Sequence, residues 1–360
     1  MSSVAVIGAG NSGLASAAYL AYHGVPVHLW NRSEATIALL QKNREITCCG
    51  VLDGCVPVAL ITTDIEEALR GVELIMITTP ASSHAELAER MAPHLTADQV
   101  IVLNPGRTFG ALEFSTVLRR CGIQEQPVIG EAQTIVFTCR KKTAATVSIL
   151  GLKKGVLVSA LGRARPSDIL NRLPECLAGY FTSAESMVQT SLGNVGMILH
   201  TAPTLLNVGW IEYPEVDFKY YYNGITPSVC RLLERLDAER LSVSLVLGWQ
   251  VESLREWLKR IYGAADGTLY ECVQSVEAYR TIDAPVSINH RYLTEDVPTG
   301  LVPLESVGEA FGVPTPVATL LIDLAGYLLG RDLRAGGRTL KNLGMDHLQL
   351  MQALGVNLSQ

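Results

Sequence analysis

Near the start of the chain, the apolar run VAVI at residues 4–7 ends directly on Gly8-Ala-Gly10-Asn11-Ser12-Gly13 and passes into a helical pattern. A G-x-G-x-x-G spacing between a strand and a helix admits few folds. Gly8 permits a tight turn, Gly10 lets the backbone approach a pyrophosphate, and Gly13 lets the helix pack closely on the strand. The helix N-terminus then offers free N–H groups and a partial positive charge to phosphates. Asn11 and Ser12 belong to the same turn. The motif therefore implies a βαβ unit that holds a dinucleotide.

Over residues 1 to about 185, short β-branched runs alternate with helical patterns, the mark of a parallel sheet covered on both faces. Further strands are expected at 25–30, 74–79, 100–103 and 126–132, with helices at 13–23, 33–42 and 82–91. Residues 47–62 read as an irregular side hairpin. The runs 143–150 and 155–161 read as an antiparallel addition turning at Lys153-Lys154. From about Glu185 strand patterns nearly vanish, and apolar residues take helical spacing over 227–247, 251–261 and 313–329. Tight turns are expected at Pro214, 263–267 and 298–300. The fold class is α/β: a Rossmann-like, doubly wound, mainly parallel sheet in a dinucleotide-binding domain, 1–185, and an all-helical substrate and catalytic domain, 186–360.

Cofactor choice is read where the second strand ends, at Trp30-Asn31-Arg32-Ser33. An NAD enzyme usually places an acid there to bind the adenosine ribose hydroxyls. Here Asn31 is neutral and Arg32 can sit beside a 2′-phosphate. Opposite charges about 4 Å apart near a surface attract by at most about 4 kcal/mol, and a third of that is roughly a tenfold preference. NADP(H) is therefore expected over NAD(H), which stays possible if Arg32 only stacks on the adenine. Thr79-Pro80 and Asn104 close two more strand ends on the same ligand edge.

The net charge of −6 disfavours nucleic acid and anionic membrane surfaces as partners. No run approaches the roughly 20 apolar residues of a membrane span. The opening residues lack a basic, cleavable leader, so a cytoplasmic protein is expected. The eight cysteines are scattered without a C-x-x-C pair. Reduced thiols are expected and no metal site, because structural zinc needs four converging ligands.

Hydride transfer needs an anchor for the substrate and a proton donor. His200 lies on an apolar helical pattern that shares a narrow face with Gly193, Gly196 and Met197, a face open to close approach of a cofactor. Pro203 should kink or break that helix near His200. A histidine in such a place is more often structural, and the residue pattern leaves its role open. Arg291 could clamp a carboxylate through two parallel N–H bonds, and Asp296 could orient an imidazole. The alternative is a surface ion pair between the two, worth under ~1 kcal/mol.

The chain resembles the octopine/nopaline (opine) dehydrogenase family over nearly its whole length. The resemblance rests on the glycine fingerprint, Asn104-Pro-Gly, Ala111-Leu-Glu-Phe, Phe137-Thr-Cys-Arg140, Thr190-Ser-Leu-x-Asn-Val and His200 with Pro203-Thr-Leu-Leu-Asn207. It continues through Gly224-Ile-Thr-Pro-Ser-Val229, Asp237-Ala-Glu-Arg240, and Arg291-Tyr to Leu304. It implies a reaction in which an L-amino acid condenses with a 2-keto acid, by default pyruvate, and the imine is reduced by NAD(P)H. It also implies His200 and Asp296 as the acid–base dyad and Arg291 as the carboxylate-binding arginine. Gln133 and Thr134 fall on the keto-acid side by the same resemblance, and Asn194, Tyr221 and Trp257 on the amino-acid side. A bacterial member's pattern carries an acid where this chain has Asn31-Arg32. Ketopantoate reductases and glycerol-3-phosphate dehydrogenases share the layout but use a lysine near the hydride acceptor, absent from a comparable segment here. A non-catalytic NADPH-binding sensor is the other alternative. A homodimer through the helical domain completes the expectation.

Overall fold

The structure, a computed structural model, describes residues 3–356. Its strands are β1 (Ser3–Ile7), β2 (Val27–Trp30), β3 (Glu45–Gly50), β4 (Gly54–Pro57), β5 (Leu60–Thr62), β6 (Val72–Ile77), β7 (Val100–Leu103), β8 (Val128–Ala132), β9 (Phe137–Thr143), β10 (Thr146–Leu152), β11 (Val156–Ala160) and β12 (Phe181–Ser183). One compact unit holds the residues up to Gly106 together with Gly110–Thr190; the other holds Arg107–Phe109 and the chain from Ser191 onward. The division thus lies at Thr190/Ser191, where the sequence suggested 185/186, and a tripeptide from the first half joins the second unit.

The first unit is built on a sheet of order β12-β11-β8-β7-β6-β1-β2-β5. Pairing is parallel from β5 through β8, and β11 lies antiparallel to β8. β7 is buried along its whole length and β6 at all but one residue. Helices cover both faces of such a sheet, which is why these strands read as unbroken apolar runs. The chain winds outward from β1 to β2 and β5, then returns to β6 on the other side of β1. Ligands bind beyond the carboxyl ends of strands at such a reversal.

The sequence reading of 143–161 needs correction. β9 and β10 form the antiparallel hairpin, and β10 pairs in parallel with β3 in a second sheet of order β4-β3-β10-β9. β11 belongs to the large sheet, so Lys153-Lys154 joins two sheets and turns no hairpin. The 47–62 region does hold the expected side hairpin, β3 with β4 in antiparallel pairing, but it is regular, and β5 beyond it joins the large sheet.

The second unit is helical. Pro227–Val246 starts at Thr226, whose side chain accepts from the Val229 N–H, with Pro227 at the first helical position. Leu254–Tyr262 begins in a Ser253–Glu256 capping box and ends on Gly263 at φ +65°. Two points differ from the sequence reading, a break at Pro203 and a turn at 298–300. The Gly196–Leu206 helix runs on through Pro203 without a break. Side chains bond carbonyls along it: Thr204 Oγ1 and Tyr220 Oη donate to His200 O, and Asn207 Nδ2 to Pro203 O. Pro298–Gly300 is no turn either. It lies buried in a π-helical segment, Val297–Leu301, that leads into the Val302–Ala310 helix.

Candidate active site

In the first unit the glycine turn has the geometry its spacing demands. Gly8 sits at φ +112°, and a Cβ on Gly13 would come 1.8 Å from the Gly8 carbonyl oxygen. A Cβ on Gly10 would meet nothing within 4 Å, so that side of the turn is open. The Asn11–Tyr22 helix starts at Gly10 with no side-chain cap and no acid in its first turn. Its N–H groups are therefore available to an anion. Nearby strand ends leave two buried acceptors or donors without partners, Thr79 Oγ1 and Asn104 Oδ1. These features suit a dinucleotide.

Several expected cofactor residues also have structural work. Asn31 Oδ1 accepts the Ala9 N–H at 3.1 Å and Asn31 Nδ2 donates to Ser33 O, bracing the turn from β2. Ser12 Oγ reaches Thr78 O at 3.4 Å. Asn11 Oδ1 accepts the Lys141 N–H at 2.7 Å, and Lys141 Nζ donates to Ala9 O at 3.1 Å. Lys141, on β9, places a cation against the turn and was missed in the sequence, where its strand carries no apolar alternation. Arg32 is exposed and paired with Glu86 at 2.8 Å. Pro80 is exposed at the β6 end. Gln133 is buried just past β8, its N–H bonded to Leu157 O, and Thr134 is half-buried beside it in sequence.

In the second unit the Gly196–Leu206 helix and the segment from His290 to Leu301 bring two distant residues together. His200 Nδ1 lies 2.8 Å from Asp296 Oδ2, with Asp296 fully buried and the imidazole 14% exposed. The Tyr292 ring stacks on His200 at 4.1 Å and 14°. The π-helical segment that follows Asp296 approaches this helix closely: a Cβ on Gly300 would lie 2.6 Å from Met197 Cβ.

Arg291 is exposed and forms no ion pair with Asp296, so the alternative of a surface pair between them does not hold. Arg107 takes that place. Its guanidinium lies 3.3 Å from Asp296 Oδ1 and 3.3 Å from Glu295 Oε1, and it donates to Asn194 Oδ1 at 3.3 Å. The room beside Gly196 that was expected to admit a cofactor is filled by this side chain, 2.6 Å from where a Cβ would stand.

The electrostatics follow. Burial would raise the Asp296 pKa, but Arg107 and His200 outweigh it and hold the carboxyl below its usual range. Burial pushes His200 down, with help from the Arg107 and Arg291 charges and against the pull of Asp296. A neutral imidazole whose Nδ1–H faces the carboxylate presents a basic Nε2.

Rings continue outward from His200. Tyr292 meets Tyr220 at 5.0 Å, Tyr220 meets Tyr221 at 5.0 Å, and Tyr221 stacks on Tyr279 at 4.0 Å. Tyr262 follows at 5.2 Å and Trp257 at 5.6 Å. Tyr221 and Trp257 are thus linked to the dyad, and the Trp257 indole N–H is buried without a partner. Among the described residues no three His, Cys, Asp or Glu side chains converge as a metal site, and no helix is long and apolar enough to cross a membrane.

The sequence model of a family described as NAD/NADP octopine/nopaline dehydrogenase, alpha-helical domain, matches residues 183–329. One described as NAD-dependent glycerol-3-phosphate dehydrogenase N-terminus matches residues 3–106. An opine dehydrogenase from Arthrobacter sp. (strain 1C) is 40% identical over 345 residues, 96% of this chain and 95% of that protein. A vitopine synthase from Allorhizobium ampelinum is 25% identical over 99% of this chain and its own full length. Among solved structures, octopine dehydrogenase with NADH and L-arginine matches with a TM-score of 0.81 at 21% identity, covering both chains fully. NADP+-bound yersinopine dehydrogenase matches at 0.76 and 13% identity over 98% of this chain and 97% of its own. At such identities the structural likeness speaks for the fold.

Proposed function

The chain belongs to the opine dehydrogenase family and is an NAD(P)-dependent oxidoreductase; from that premise we propose that it joins the amine of an L-amino acid to a 2-keto acid, pyruvate by default, and reduces the imine to a secondary amine. The observation that carries the assignment of roles is the 2.8 Å His200–Asp296 pair. Neutral His200 takes a proton from the incoming ammonium at Nε2 and returns protons as the carbinolamine loses water. Asp296 holds the Nδ1–H tautomer and stabilises the imidazolium. Arg291, exposed and fork-shaped, fixes a substrate carboxylate. Gln133 and Thr134 face the keto acid, and Asn194, Tyr221 and Trp257 serve the amino acid. When bound, the reduced nicotinamide supplies hydride to the imine carbon.

Gly8, Gly10, Asn11, Ser12 and Gly13 would hold the pyrophosphate. Asn31, Arg32 and Ser33 would hold the adenosine ribose, and Thr79, Pro80 and Asn104 the remainder. NADP(H) is preferred and NAD(H) possible. The Arg32–Glu86 pair is exposed and such pairs contribute under ~1 kcal/mol, so a 2′-phosphate competes for the guanidinium at small cost. Titration of Arg32→Ala with both cofactors decides this: an unchanged affinity ratio removes Arg32 from the selectivity. Eight free thiols suit a reducing cytoplasm. Leu320, Tyr327 and Leu328, exposed on one face of the Pro316–Leu329 helix, suit a homodimer, which sedimentation equilibrium tests.

The function itself is tested by mixing enzyme, NADPH, pyruvate and single L-amino acids. NADPH oxidation should require both amine and keto acid. Oxidation with the keto acid alone would mean a simple 2-keto reductase.

A further inference from the structure

Arg107 belongs to no role assigned above, yet three side chains of the second unit converge on it. Its side chain is 10% exposed and its partners, Asn194, Glu295 and Asp296, are all buried. Gly196 has no side chain where the guanidinium passes. Arg107 and Phe109 both adopt φ near +60°, a left-handed conformation disfavoured for residues with a Cβ. Hydrogen bonds within this unit hold that shape. Thr108 N–H donates to Thr299 O and Thr108 Oγ1 to Ser191 O. Phe109 N–H donates to Ser191 Oγ, and Arg338 NH1 to Thr108 O. Strained backbone kept in place by its surroundings marks a site where one side chain's aim matters.

We propose that Arg107 is a positioning residue of the dyad: its guanidinium forms an ion pair with Asp296 on the Oδ1 side, leaves Oδ2 to His200, and sets a fixed positive charge on the far side of the shared carboxylate. The groups facing His200 are Asp296, Arg107, Arg291, Tyr292 and His290, with Tyr220 bonded to its carbonyl oxygen. Of the two cations, Arg107 is the buried one. Its charge is already met by Glu295 and Asp296, so Arg291 is left for substrate carboxylate and Arg107 for tuning. The inference rests on the dehydrogenase reading only for its kinetic arm.

The test is an NMR titration of isotopically labelled histidines in the full chain, with the His200 signals assigned by their loss in His200→Asn. Arg107→Gln should raise the His200 pKa by about one unit, the low end for a charge at this range. The acid limb of the kcat profile should move up by the same amount. Arg107→Lys, which keeps the charge, should restore most of both. A folded Arg107→Gln protein with an unmoved His200 titration overturns the proposal. If that variant does not fold, Gly196→Ala, whose Cβ displaces the guanidinium, should give the same upward shift, and no shift overturns it equally. A shift seen in NMR from a protein that turns over no amine and keto acid would uphold the tuning role and sink the reaction instead.

Discussion

His200 meets Asp296 through Nδ1 alone and lies flat against Tyr292, so two neighbours fix both its tautomer and its plane. A positioned acid–base group typically contributes about 10²–10⁴-fold. His200→Ala is therefore expected to lower kcat at least about a hundredfold and leave NADPH affinity near normal, measured by steady-state kinetics beside fluorescence titration. Retained turnover removes the imidazole from the reaction. The pH dependence has a definite sign. Burial lowers the His200 pKa from its ordinary value near 6.5, so the neutral base survives to lower pH than a solvent histidine would. The acid limb of amine-dependent turnover should lie below about pH 6.5 and vanish in His200→Ala; a limb above that value contradicts the site's electrostatics. His200, Asp296 and Arg291 were each visible as residue types with chemical reasons to matter. Their grouping came from the family resemblance and not from any local pattern, since nothing local relates positions 96 residues apart. Arg107 was invisible: it sits in a loop, in a backbone conformation no pattern announces, and its carboxylate partners lie far downstream.

Elements were legible wherever the signal was local. β1, β2, β6, β7 and β8 were legible because burial on both faces writes an apolar run, whereas the three-residue parallel strands β5 and β12 are too short to write one. β9 was missed because its sequence, FTCRKKT, carries three charges and buries only Phe137 fully, so no apolar alternation marks it before it pairs with β10. Pro203 and Pro298 misled for different reasons: Pro203 removes a single donor inside a helix that continues to Leu206, whereas Pro298 stands in the first turn of its segment, where a missing N–H costs nothing. The Val297–Leu301 segment makes a testable case. Gly300 lets it press against Met197, where an added Cβ would stand 2.6 Å from the Met197 Cβ. Overpacking of this kind costs about 1–3 kcal/mol, so Gly300→Ala should lower unfolding stability by that much in urea. It should also lower kcat, because Asp296 directly precedes the segment. A loss under about 0.5 kcal/mol would show that the contact relaxes freely.

At the scale of the molecule, the chain comprises a sheet unit, proposed above as the nucleotide holder, and a helical unit that contains the His200–Asp296 pair. Periodicity already pointed to this division, because a parallel sheet and a helix bundle leave different spacings in a sequence. The consequence is that binding and chemistry should come apart. A ligand that binds only the native state protects the backbone it touches from exchange and stabilises by about 2.7 kcal/mol at a hundred times its Kd. Hydrogen–deuterium exchange with NADPH alone should therefore slow residues 8–13, 31–33, 78–80 and 104, and thermal unfolding should shift upward. His200→Ala should show the same protection and the same shift while failing to turn over. Gly13→Ala, whose Cβ would fall 1.8 Å from the Gly8 carbonyl oxygen, should lose the protection and retain the His200 titration seen by NMR. Were NADPH to protect the helical unit and leave the glycine turn untouched, the nucleotide would have to be assigned elsewhere and the division of roles abandoned.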